Sequence, residues 1–161
     1  MAYALNFPWA AVNNRVAKAG VTAYLTASAN TAVTTSYTKL LGTFSNEFIE
    51  FFEIDGTSGK LTYRPDDGVS RDFKVDYSCE VSAPSVNDVI TFGVEAGNGS
   101  PVIVPGSEVS ITCRTAGSPY PGGAIAHVRL DPEDTIEIQI KGDSSFTATV
   151  NQFSTSLIKM V

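Results

Sequence analysis

Hydrophobic and polar residues alternate along most of the chain. In "VRLDPEDTIEIQIKGDSSFTATVNQF" (128–153), Ile136, Ile138 and Ile140 alternate with Thr135, Glu137, Gln139 and Lys141. After a bend at Gly142-Asp143, Phe146, Ala148 and Val150 alternate with Thr147, Thr149 and Asn151. A period of two puts successive side chains on opposite faces, so the stretch predicts a β-hairpin with one apolar and one polar face.

The same reading places strands at 21–26, 32–42, 46–54, 60–64, 71–83, 88–96, 101–106, 108–116, 124–130 and 155–161, with turns at "DGTSG", "PDDG", "NG" and "SPYPGG". In 71–83, Phe73, Val75, Tyr77, Cys79 and Val81 share a face. No stretch has a helical period. About ten short strands at regular spacing predict an all-β, antiparallel sandwich, in which two inner faces pack together and the outer faces meet water. Residues 1–20 lack a period of either kind and read as an N-terminal arm, leaving 21–161 as the sandwich domain.

One strand departs from the alternation. In "NEFIEFFEI" (46–54), Phe48, Phe52 and Ile54 fall on one face, and Ile49 and Phe51 on the other. A strand apolar on both faces needs cover on both. The N-terminal arm or a second subunit would supply it, which makes Ile49 and Phe51 the expected subunit-interface residues.

Composition narrows the classes. The 161 residues are 43% hydrophobic but only 17% charged, with a net charge of −6. An acidic chain is poorly matched to nucleic acid, whose phosphates call for a basic surface. No apolar run reaches the ~20 residues of a membrane helix. The N-terminus has no early basic region and is interrupted by Asn6 and Pro8, so it does not predict a secretory leader. The two cysteines fit synthesis without secretion. Charge is uneven: the first 46 residues hold Arg15, Lys18 and Lys39 and no acid, while the remaining eight cations and seventeen acids give −9. An arm carrying Phe7, Trp9, Arg15 and Lys18 would suit docking on an acidic partner.

The order of several motifs resembles a known family. "YTKL" precedes a "GKLTY" hairpin, a long strand with Phe73, Val75, Tyr77 and Ser78, an "NG" turn, the run "VRLDPEDTIEI", and a closing "FSTSL" strand. Together these resemble the trimeric jelly-roll domains of phage virion proteins: capsid decoration or cement proteins, head fibres and tail-fibre tips. Such domains are similar to the globular heads of the complement and tumour-necrosis-factor class. The resemblance covers about 21–161. It implies a jelly roll, a homotrimer, and C-terminal strands near the threefold axis.

Catalytic chemistry is sparse. His127 is the one histidine, in "AIAHVRL", where it shares a face with Ile125 and Arg129. No nucleophile elbow, phosphate loop or zinc-protease motif is present. The carboxylates Glu47, Glu50, Glu53, Asp66, Asp67 and Glu80 include no pair selected by spacing for glycoside cleavage. The acidic turns at Asp66-Asp67 and at Asp131, Glu133 and Asp134 lack the fixed offsets of a calcium loop. The expectation is therefore no catalytic residue, no metal and no cofactor. Cys79 and Cys113 both fall on inward faces, as free thiols or, if their Cα atoms lie within ~7 Å, as a disulfide. Tyr120, between two prolines in "SPYPGG", is a candidate stacking contact for a glycan.

These features and the resemblance lead to an expected non-enzymatic virion protein. It would be made in the host cytoplasm and seated on the capsid surface, where it decorates and cements the major capsid protein. The alternative is a receptor-binding tip or head fibre that recognises host surface glycan through Tyr120.

Overall fold

The computed structural model describes residues 20–160, the Phe48 side chain excepted. The expected docking residues Phe7, Trp9, Arg15 and Lys18 lie outside the described residues. Thirteen strands fill the described span: β1 (Gly20–Leu25), β2 (Ala29–Val33), β3 (Thr38–Lys39), β4 (Phe44–Glu50), β5 (Phe52–Ile54), β6 (Leu61–Tyr63), β7 (Arg71–Ser82), β8 (Asp88–Gly97), β9 (Val102–Ile103), β10 (Val109–Cys113), β11 (Tyr120–Leu130), β12 (Thr135–Gly142) and β13 (Phe146–Lys159). No helix occurs among the described residues.

The strands form two antiparallel sheets packed as a jelly-roll sandwich, as the alternation predicts. The first sheet runs β11-β7-β13-β1-β4, with β2 also paired to β13; the second runs β10-β8-β12-β6-β5, with β3 on β12 and β9 on β8. The inward residues of β7 named above, Phe73 to Val81, are all buried. They meet Ile90, Phe92 and Val94 of β8 and Ile136, Ile138 and Ile140 of β12 from the opposite sheet. Aromatic rings fill one end of this core: Phe52, Tyr63 and Phe73 form a triangle with centroids 5.2 to 5.3 Å apart. Such tilted and edge-on contacts add to the burial of the ring faces themselves. The Tyr63 hydroxyl donates to the Val69 carbonyl at 2.9 Å, and the Tyr77 hydroxyl to the Ser107 carbonyl at 2.8 Å, so neither buried phenol leaves a polar group without a partner.

Two expectations are corrected. First, residues 135–150 are not a hairpin. β12 pairs with β3, β6 and β8, and β13 with β1, β2 and β7, so the chain changes sheets at the Gly142-Asp143 bend. Alternation records which face of a strand looks inward, and a corner between sheets preserves it as well as a hairpin does. The corner is tight: a Cβ on Gly142 would stand 2.6 Å from the Ser144 carbonyl oxygen and 2.8 Å from Phe146. Nor does β12 have a wet face, since Glu137 and Gln139 are each only 5% exposed.

Second, 46–54 is two strands. β4 pairs with β1 in the first sheet and β5 with β6 in the second. Phe51 lies between them at φ 64°, a left-handed conformation unusual for a bulky side chain. The break resets the parity, which is why the sequence reads as apolar on both sides. Phe51 is partly buried and packs on the core. The Arg71 guanidinium sits 5.3 Å from its ring centroid, and the Arg64 N–H donates to its carbonyl at 2.7 Å. Phe51 thus already has cover within the chain. Ile49 stands opposite Val21 but is 39% exposed where Val21 is 1% exposed.

Candidate assembly surface

The outer face of the first sheet is built by register. On β7, Lys74 stands opposite His127 of β11 on one side and Ile158 of β13 on the other; Ile158 in turn faces Gly20, and Gly20 faces Glu50. One pleat along, Asp76 stands between Ile125 and Ser156. Directly paired residues share a face, so these two rows lie side by side. Met160 extends the same face, because its N–H donates to the Asp72 carbonyl at 2.9 Å.

Three apolar side chains are exposed on this face: Ile158 is 58% exposed, Ile125 54% and Met160 41%. The charges around them are matched within the sheet. Lys74 Nζ lies 3.2 Å from Asp76 Oδ2, and Arg129 Nη1 lies 3.3 Å from Asp72 Oδ2. Exposed pairs of this kind contribute little stability; the Lys74–Asp76 pair on β7 stands between Ile125 of β11 and Ile158 of β13, so the apolar side chains are interleaved with compensated charge. Farther along, hydroxyls replace methyls. Ser78 Oγ and Ser154 Oγ are 2.9 Å apart, and Thr22 Oγ1 and Ser156 Oγ 3.2 Å. A shallow hollow of about 420 Å³ opens there between Tyr24, Glu80, Pro121 and Gln152.

Ile125, Ile158 and Met160 are not singled out by alternation alone. A signal was available in "AIAHVRL": Ala124 and Ala126 turn inward while the larger Ile125 turns out. The strand buries the small alanines and exposes the larger isoleucine, against the usual order of burial.

The other candidate residues are placed as follows. His127 is exposed beside Lys74 and Arg129. Tyr120 does not project from a free loop. It opens β11 opposite Val81 and packs, partly buried, on the core. The acidic turns are already occupied. Glu133, at φ 72°, takes Arg64 Nη1 at 2.5 Å, and the Asp67 carboxylate takes Arg71. The Asp131 N–H donates to Asp134 Oδ2 at 2.8 Å. Among the described residues no group of three or more His, Cys, Asp or Glu is placed to hold a metal. Cys79 and Cys113 are free and buried. Burial pushes the Cys79 thiol up to about 12, against a lowering contribution from the Gly122 backbone. At the edge of the second sheet, Glu108 lies below the usual carboxylate range because Tyr37 and Lys141 donate to it.

No protein-family model and no curated protein sequence matches the chain. Solved structures do. Eiger TNF from S. frugiperda aligns over 89% of this chain and 94% of its own, with a TM-score of 0.63 and 7% sequence identity. Murine APRIL at pH 5.0 aligns over 88% of this chain and 99% of its own, with a TM-score of 0.56 and 9% identity. At such identity the likeness is one of fold, and the chain has a tumour-necrosis-factor-like jelly-roll fold.

Proposed function

We propose that this protein is a structural virion component: a homotrimer that decorates and cements a phage capsid and performs no catalysis. The observation that carries the reading is the exposure of Ile125, Ile158 and Met160 on one outer face, that of the first sheet. Three exposed apolar side chains, interleaved with the compensated Lys74–Asp76 pair of β7 and flanked by hydroxyls, give this face the mixed apolar and polar character of subunit contacts. In the resembling phage domains the C-terminal strands lie near the threefold axis, and here the C-terminal strand carries Ile158. Closed threefold contact would shelter this face and leave the opposite sheet and the N-terminal arm for the major capsid protein. The glycan-binding alternative is less supported, because the Tyr120 ring is partly buried against the core.

Native mass spectrometry tests the trimer. The wild type is expected at three times 17.1 kDa, and Ile125→Asp/Ile158→Asp at 17.1 kDa with an unchanged β-sheet circular dichroism spectrum. A monomeric wild type sinks the trimer. Co-sedimentation of the full chain with the capsids of its source virus tests the capsid role separately. Absence of co-sedimentation by a trimeric wild type sinks that part alone.

A further inference from the structure

Asn98 is the one asparagine of the chain that precedes a glycine, and Asp55 and Asp67 are the aspartates that do. In such pairs the glycine nitrogen can attack the side-chain carbonyl carbon of the residue before it, because no side chain on the glycine stands in the way. The fold treats the three pairs differently. Asn98 and Gly99 lie at the tip of the hairpin between β8 and β9, where Glu95 pairs with Ile103 and Ala96 with Val102. Asn98, Gly99 and Ser100 are all exposed. Gly99 is at φ 76°, and the Ser100 N–H donates across it to the Asn98 carbonyl at 2.9 Å. A bond of that reach about a residue of that φ makes the rarer, strained form of γ-turn. The turn engages the Asn98 carbonyl and the Ser100 N–H and makes no use of the Gly99 N–H.

The two aspartates are held in place. Asp55 Oδ1 accepts the Thr57 N–H at 2.8 Å and the Thr57 hydroxyl at 2.7 Å, and Oδ2 accepts the Ser58 hydroxyl at 3.1 Å. Asp67 Oδ1 accepts the Val69 N–H at 3.1 Å and Arg71 Nη1 at 3.0 Å, while the Gly68 N–H is itself engaged, donating to the Pro65 carbonyl at 3.2 Å. These bonds favour the ionised form of both carboxyls, whose pKa values are lowered. An ionised carboxyl offers an attacking nitrogen no leaving group.

We infer that Asn98–Gly99 is a spontaneous modification site, where the side-chain amide is lost and the backbone rearranges to isoaspartate. The Gly99 nitrogen bonds to Asn98 Cγ, its proton passes to the side-chain amide nitrogen, that nitrogen leaves as ammonia, and a cyclic imide closes. Water then opens the imide. Breaking the bond from the Gly99 nitrogen to Cγ gives aspartate. Breaking its bond to the Asn98 backbone carbonyl carbon gives isoaspartate, with an extra methylene in the main chain. Water is the sole co-reactant, and nothing is oxidised or reduced. Either product places a new negative charge near Val102, which is 66% exposed. Behind the turn, the Thr135 hydroxyl donates to the Gly97 carbonyl at 2.9 Å and ties the end of β8 to β12, so the change stays at the hairpin tip. This chemistry is independent of any capsid role.

Peptide mapping by mass spectrometry tests it, on the full-length protein kept folded in water labelled with heavy oxygen, at neutral and at mildly alkaline pH. The peptide holding Asn98 is expected to gain one heavy oxygen and to split into aspartyl and isoaspartyl forms. Conversion should rise with pH, because the attacking nitrogen must shed its proton. The peptides holding Asp55 and Asp67 should stay unlabelled. Asn98→Gln should lose the conversion, since the longer side chain closes a larger and slower ring, and should keep the wild-type β-sheet circular dichroism spectrum. An Asn98 still intact after a synthetic peptide of residues 94–104 has converted overturns the inference, because the fold then protects the pair. Label entering at Asp55 or Asp67 as fast as at Asn98 overturns it too, since the fold then makes no distinction among the three. Conversion to aspartate without isoaspartate also overturns it, because the amide is then hydrolysed directly.

Discussion

Glu95 and Glu137 stand directly opposite each other on β8 and β12, and the Gln139 side-chain nitrogen donates to both, at 2.9 Å and 3.0 Å. Like charges in that position repel, and Glu137 is 5% exposed. The one amide bridges the pair, and Lys39 Nζ approaches Glu137 Oε1 at 3.5 Å from the solvent side. Gln139→Leu should therefore cost about 1.5–3 kcal/mol, the range for a lost hydrogen bond to a charged group. Urea denaturation measures it. Adding Glu137→Leu should recover part of the loss, because a buried carboxylate left with only Lys39 is worse than an apolar side chain there. An unchanged midpoint in Gln139→Leu would show that the bridge is not needed.

Acid should unfold the protein partly through Asp55. The Thr57 N–H, followed by the Thr57 hydroxyl and then Ser58, donates to its carboxylate and holds its pKa at about 2 against an ordinary 3.8. The folded value lies below the unfolded one, so this stabilisation is complete above 3.8 and is lost as pH falls toward 2. Asp67, held low by Arg71, and Glu108, held low by Tyr37 and Lys141, act in the same direction. Melting temperature followed from pH 5 to pH 2 should fall less steeply for Asp55→Asn than for the wild type.

Cys79 should be chemically silent in the folded protein. Its thiol is buried and pushed up to about 12, so almost no thiolate exists at neutral pH. A disulfide-exchange reagent should react with Cys79 only at the rate at which the protein opens. Rapid reaction at pH 7 in the absence of denaturant would contradict the burial seen here.

The paired glycines of β11 have a steric reason. A Cβ on Gly123 would lie 2.6 Å from the Tyr77 carbonyl oxygen, and one on Gly122 2.4 Å from Ile111 Cδ1 and 3.3 Å from Cys79 Sγ. The first contact is with backbone and has little room to yield. Gly123→Ala should cost about 1–3 kcal/mol, as overpacking does, and Gly122→Ala less, since Ile111 has other rotamers. Thermal denaturation of the two variants orders them.

Much of the fold was legible in the sequence, because inward and outward faces are written at period two. The core faces of β7, β8 and β12 follow directly from Phe73 to Val81, Ile90 to Val94 and Ile136 to Ile140. Connectivity was less legible. A bend such as Gly142-Asp143 looks the same whether the next strand returns alongside or crosses to the other sheet, and only distant partners such as Val94 and Val75 decide it. The doubly apolar stretch at 46–54 misled for a related reason: a single left-handed residue, Phe51, shifts the phase without any Gly or Pro to mark it. The candidate surface was hardest to foresee. Ile125 and Ile158 belong together only because β7 lies between their strands, a relationship spanning more than 30 residues of chain.

The position of β13 has a consequence for how the molecule comes into being. The last of the described strands, Phe146–Lys159, is central in the first sheet, and among the described residues β7 and β1 are joined only through it. A ribosome must release the chain through residue 159 before that sheet can close. Until then two raw strand borders wait side by side, and a product cut short before residue 146 would be expected to aggregate and not to persist as a smaller working domain.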